Sequence, residues 1–274
     1  LWAVRNEISA YPMIEASFQK FREDFKDPDP PDWFAFLAYS SGVKWGSESS
    51  KTAQELLEMH HKEVLDELKK DFSDRRHSID EPTVEGLASE LQNAIKQDPT
   101  RFTSIATSFF DEKINKFYLP YILRGFQDAW KEKKDFNWEQ IIELSQLISK
   151  TKDKPTKDGS PADMNPNYWV DTYAGARKET INLLDIAVSN DEHAIPDEYL
   201  DQVRDILLRL CDDINPSVEN EKERNSNGGW DILTLSLNVT RAKAVAALIS
   251  YSLHRARLAS RQERWRSARP PAAG

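Results

Sequence analysis

Leu235-Ser236-Leu237-Asn238-Val239-Thr240-Arg241-Ala242-Lys243-Ala244-Val245-Ala246-Ala247-Leu248-Ile249-Ser250-Tyr251-Ser252-Leu253 is the stretch on which the fold turns. With Ile232 and Leu233 just before it, its apolar side chains fall on nearly every side of a helix of 3.6 residues per turn. A helix apolar all round is usually sandwiched between others. Residues 230–260 therefore read as one long helix. Its first two-thirds are expected at the centre of the C-terminal half, with a basic end protruding.

The rest of the chain reads as helix too. Ala53, Leu56, Leu57, His60, Val64, Leu68 and Phe72 recur in steps of three and four, one stripe of a helix over residues 50–71. Val84, Leu87, Leu91 and Ile95 repeat the pattern over 83–97. Asp98-Pro99 reads as an N-cap followed by proline at the first helical position, opening a helix over 100–117. Helices follow at 120–130 and, from the capping signal Asn137-Trp138-Glu139-Gln140, at 138–150. Residues 169–189 and 196–211 read as an antiparallel pair. Upstream, 6–25 and the aromatic stretch 33–39 are helix-like. Two polar linkers interrupt the series, at 151–167 with three prolines and at 212–229.

Composition agrees with that reading. The chain has 274 residues, 39% hydrophobic and 30% charged, against about 45–50% apolar in an average domain. Nine glycines are too few for the tight turns of a β-sandwich, a barrel or a nucleotide-binding α/β fold. Twenty-eight Trp, Tyr and Phe are too many for a disordered acidic chain. The fold class is all-α, with about ten helices in stacked antiparallel hairpins. The layout expected is an irregular α-superhelix of the HEAT-like kind, the alternative a compact helical bundle. Stacking gives each helix neighbours on its inner face only, which accounts for the low apolar share. The chain is expected to be one helical region, 1–274, cut from a larger protein. Candidate sub-units are 1–150 and 167–260, joined by the linker 151–166.

The net charge of −9 is uneven. Residues 255–269 hold six arginines and only Glu263, so the remainder carries −14. Such a body repels nucleic-acid backbones. Only the basic end, through Arg255, Arg257, Arg261, Arg264 and Arg266, is a candidate contact for nucleic acid, an acidic partner or anionic lipid. The bland alternative is that these arginines complement the helix macrodipole and stay solvated. A single cysteine, Cys211, in the run Ile206-Leu207-Leu208-Arg209-Leu210, excludes an intrachain disulfide and a cysteine-based zinc cluster. It reads as a small core filler in a reducing, cytoplasmic setting.

Catalytic constellations do not assemble. Glu58-Met59-His60-His61 offers one Glu-x-x-His step where a di-iron bundle needs two and further glutamates. Of these residues only His60 falls on the apolar stripe. The five histidines are scattered, and His193 and His254 sit in polar surroundings that predict exposure. There is no Gly-x-Ser-x-Gly elbow, no phosphate loop and no Gly-x-Gly-x-x-Gly. No metal, cofactor or catalytic residue is expected. The informative polar pair is Asn238 and Arg241, sharing a face of the most apolar helix. They read as an internal clamp or, alternatively, as a small-molecule or anion pocket. Trp33, Trp45, Trp130 and Trp169 are the candidate aromatics of an interaction groove.

Pro166-Asn167-Tyr168-Trp169-Val170, Ile195-Pro196-Asp197-Glu198, Asn215-Pro216 and Leu235-Ser236-Leu237-Asn238-Val239-Thr240-Arg241-Ala242-Lys243-Ala244 come in an order that resembles a helical region of very large bacterial multidomain proteins, many of them ATP-binding or defence-type. Ala242 stands where that motif usually has glycine. The resemblance covers about 130 residues from Trp138 onward. It implies a helical scaffold or sensor segment making protein–protein or interdomain contacts, with enzymatic parts elsewhere, and it supplies no catalytic residue.

Overall fold

The computed structural model describes residues 48–70, 82–153, 172–213 and 239–267, without the side chains of 262–267. All of these belong to one compact unit, Ser47–Gly274. The helices expected at 6–25 and 33–39, and most of both polar linkers, lie outside the described residues. The same holds for the first turns of the long C-terminal helix.

Among the described residues every regular element is helical and none is a strand. In chain order they are α1 (Ala53–Glu58), α2 (His61–Leu68), α3 (Val84–Gln97), α4 (Pro99–Thr103), a 3₁₀ turn (Ala106–Phe110), α5 (Tyr118–Lys131), α6 (Trp138–Ser149), α7 (Ala174–Ser189), a 3₁₀ turn (Asp197–Tyr199), α8 (Leu200–Cys211) and α9 (Thr240–Ser267). The starts follow local chemistry. The Thr83 hydroxyl accepts from the Gly86 N–H at 3.1 Å, Asp98 from Arg101 at 3.1 Å, and Asn137 from Glu139 at 2.9 Å. Each satisfies a first-turn donor that has no partner within its own helix.

Two expected helices are broken. The single helix over 50–71 is instead α1 and α2, parted where Met59 turns to extended backbone. The Glu63 carboxylate accepts from the His60 N–H at 2.7 Å and restarts the chain as a new helix. The guanidinium of Arg101 donates to the Met59 carbonyl at the break. His60, placed on the packed stripe by its spacing, is an exposed cap residue. The helix over 100–117 shrinks to α4 and a 3₁₀ turn. There the hydroxyls of Thr103 and Ser104 donate to the carbonyls of Thr100 and Arg101, at 2.8 and 2.7 Å, competing with the helical ladder.

Packing follows an alternating plan. α3 lies against α1 and α5, α5 against α7, and α7 against α9, so successive odd-numbered helices stand side by side. α6 packs on the first 3₁₀ turn, on α7 and on α8, and α8 packs on α9. One continuous apolar core runs through both sets, with Phe102, Phe109, Tyr118 and Phe126 wholly enclosed.

The most extensive helix contact among the described residues is α3 with α5, and Gly125 permits their close approach. A Cβ there would lie 2.8 Å from Ile95 Cβ and 2.9 Å from the Gln92 carbonyl oxygen. Neither atom is the end of a flexible side chain. Gly125→Ala is expected to lower stability by about 1–3 kcal/mol through overpacking, although alanine has the better helix propensity. Urea unfolding measures it, and an unchanged or raised midpoint would show that the two helices can separate freely.

Candidate functional site

α9 combines its side chains in an order that decides what the molecule offers to a partner. Ala244, Ala247, Tyr251 and His254 are buried and, at 3.6 residues per turn, share one side. That side meets α7 and α8. Val245, Ile249 and Leu253 occupy the opposite side and are 50%, 59% and 55% exposed. Ala246, Ser252, Ala256 and Ser260 are exposed on the same side, which carries no charge over about four turns. The expectation of a helix enclosed on all sides is thus corrected. α9 is covered on one face, and its second apolar face is open.

The first part of the basic end is anchored to the body of the protein by two of its arginines. Asp191, in the turn after α7, accepts from Arg257 Nε and Arg261 Nη2, both at 2.9 Å. It also lies 3.4 Å from His254 Nδ1. Burial opposes the charge on Asp191, but the hydrogen bonds and charges of this basic cluster outweigh it and hold the carboxyl below its ordinary range. His254 is 2% exposed, so its expected exposure is wrong; it lies on the packed side of α9, beside Asp191 of the turn after α7. Arg255 is exposed, and the side chains of Arg264 and Arg266 lie outside the described residues.

The other sequence candidates separate. Asn238, Trp33, Trp45 and Trp169 lie outside the described residues. Arg241 is half-buried in the first turn of α9. Trp130 is not a groove aromatic: it is 5% exposed, with ring centroids 5.0 Å from Trp138 and 3.6 Å from His193. That stacking also explains why His193 is only 16% exposed. Cys211 is half-buried against the core, and burial pushes its thiol pKa up.

A buried clamp does exist, on an arginine the sequence did not single out. Arg177 of α7 has a 4% exposed side chain, and its Nη2 lies 2.5 Å from Asp153 Oδ2. Its Nε makes a 2.5 Å ion contact with Asp213, and Nη1 donates to the Thr151 hydroxyl at 3.1 Å. Asp153 follows α6 and Asp213 follows α8, so one guanidinium holds the exits of two helices. Beside it opens a cleft of about 550 Å³ lined by Lys150, Lys152, Asp153, Arg177, Arg209 and Asp213. Its charges are mixed and its buried members are already paired with each other, which suits anchoring better than ligand capture.

A second polar network crosses three helices. Glu179 of α7, 8% exposed by its side chain, accepts from Arg124 and Gln127 of α5 at 3.0 and 2.9 Å and from Asn182 at 2.8 Å. Lys243 of α9 donates to Asn182 at 3.3 Å. Burial works against the Glu179 carboxylate, but the Gln127 and Asn182 hydrogen bonds and the Arg124 charge overcome it and hold its pKa below 4.5.

No group of three or more His, Cys, Asp or Glu among the described residues is placed to hold a metal ion. No helix among them is long and apolar enough to cross a membrane. The chain matches no family model, no curated protein and no solved structure.

Proposed function

We propose that this chain is a non-catalytic helical scaffold or recognition segment that receives another protein, or another domain, on the outer face of α9. One observation carries the reading. The longest helix described has an uncharged second face, and three large aliphatic side chains on it stand at least half exposed. Aliphatic side chains recurring every four residues along a rigid helix are the anchors by which one helix recognises another. Contiguous exposed apolar surface on a folded protein marks an interaction site far more often than scattered apolar residues do. The alternating packing of α3, α5, α7 and α9 supports the scaffold part of the proposal. It presents α9 along its length on a backing of α7 and α8. The stacked, superhelical layout and the place within a multidomain bacterial protein implied by the sequence resemblance belong to the same proposal.

The reading separates surface from core, and that is its test. Replacing both Ile249 and Leu253 by Gln is expected to leave the melting temperature within about 2 °C, as substitutions at exposed positions usually do. The same change should reduce binding of an apolar-surface dye severalfold. A fall in Tm of about 10 °C would mean that the face is internal packing, and the proposal would be abandoned.

A further inference from the structure

The charges around this face say what kind of partner fits it. From Ile232 to Gln262 the sequence contains no Asp or Glu. Helical spacing sets Arg241 and Arg255 along one edge of the apolar face, and Lys243, Arg257 and Arg261 along the other. The second edge is the one toward α7, because Lys243 reaches Asn182 and the two arginines reach Asp191. Five cations thus border the face; Arg257 and Arg261 share Asp191, and Lys243 is bonded to the Asn182 amide. Arg257 and Arg261 keep side-chain exposures of 41% and 48% while paired, so both still face solvent and a partner.

We infer that the outer face of α9 binds an acidic amphipathic helix, one whose Leu, Ile or Val stripe is edged by Asp and Glu. This rests on the docking role proposed above and names its partner. The apolar stripe supplies the contact area. Ala246, Ser252, Ala256 and Ser260 between the large side chains leave grooves into which the ridges of a second helix pack. The bordering cations select the sign of its flanks and steer its approach.

Two other occupants fit the charges less well. A second copy of the chain pairing α9 with α9 antiparallel would set Arg241 and Lys243 beside Arg255 and Arg257, so like charges would meet on both edges. An anionic bilayer would attract the cations of α9 but would also meet the rest of the chain, which outside residues 255–269 carries −14. That charge opposes close approach to a negative surface. An acidic helix brings opposite charge to both edges of α9 and, being only about 10–12 Å across, meets far less of the acidic remainder than a bilayer does.

The experiment uses the whole chain and two synthetic helical peptides of about 20 residues. They share one leucine stripe; one is edged with Glu, the other with Lys. Fluorescence anisotropy at low salt is expected to show the Glu-edged peptide binding at least about tenfold more tightly, equivalent to roughly 1.4 kcal/mol. The advantage should shrink severalfold at about 0.5 M salt. Arg255→Glu should reduce it severalfold, while Ile249→Asp and, separately, Leu253→Ser should weaken both peptides, with far-UV dichroism unchanged. Equal affinity for the two peptides would overturn the acidic partner and leave the docking role standing. Binding of neither peptide would overturn both. Binding to vesicles of phosphatidylcholine with about 30% phosphatidylserine, abolished by Ile249→Asp and unaccompanied by peptide binding, would assign the face to lipid instead. Sedimentation showing a dimer that Ile249→Asp dissolves would assign it to a second copy.

Discussion

Arg177→Met will destabilise the protein by roughly 3–5 kcal/mol, the range for removing one partner of a buried ion pair. For a unit of this size that lowers Tm by on the order of 10 °C. The reason lies less in the lost attraction than in what remains. Asp153 and Asp213 have side chains only 7% and 3% exposed, and without the guanidinium both lose their buried counter-charge. Methionine fills part of the volume but neutralises neither carboxylate. Arg177→Lys should recover only part of the loss, because a single ammonium cannot serve carboxylates on two sides as a planar guanidinium does. Adding Asp153→Asn and Asp213→Asn to Arg177→Met should restore about half of it, by removing the buried charges rather than by remaking the clamp. Chemical unfolding of the three variants distinguishes these terms. A cost below about 1 kcal/mol for Arg177→Met would show that the clamp contributes nothing net.

The second large effect belongs to Glu179, and it carries a pH dependence of known sign. Glu179→Ala leaves the amides of Gln127 and Asn182 and the guanidinium of Arg124 without their shared acceptor, at an expected cost of about 2–4 kcal/mol. In the folded protein the carboxyl is held below its ordinary 4.5. A depressed folded pKa means that the unfolded chain binds the proton first. The stability contributed by the charged form is therefore complete above about pH 4.5 and is lost as pH falls through the folded value. Glu179→Gln removes that one titration. Its unfolding free energy should fall less steeply than the wild type's below pH 4.5, the two curves drawing together as acid is added. Parallel curves across that window would refute the assignment. Asp191 and Glu67 are among the other carboxyls held low, whose titration both proteins share.

How much of this could be read from the chain depended on whether the cause was local. The periods of Val84, Leu87, Leu91 and Ile95 and the caps at Asp98 and Asn137 involve residues within one or two turns of each other, and they gave correct helix starts. The all-helical class followed for the same reason. The breaks were harder. His60 continues the apolar spacing, and only a competing acceptor three residues later, Glu63, betrays the restart. The candidate site was legible in half. The sequence shows this helix apolar nearly all round, but that one face stays open depends on where α7 and α8 lie. Arg177 was invisible because it stands between Ala176 and Lys178 like any surface arginine. Its burial comes from Asp153, 24 residues before it, and from Asp213 beyond α8. His254 among arginines looked solvated until Asp191 was brought beside it.

The network through Glu179 also fixes the axial register of the helices it crosses. Apolar surfaces attract without direction, and two helices packed by leucine and alanine alone gain nearly as much after sliding half a turn. Hydrogen bonds of 2.8–3.3 Å allow no such slide. Arg124 and Gln127 set α7 against α5, and Asn182 with Lys243 sets α9 against α7. The height at which α9 holds Ile249 and Leu253 is therefore measured from α5, two helices away, through four polar side chains and one carboxylate.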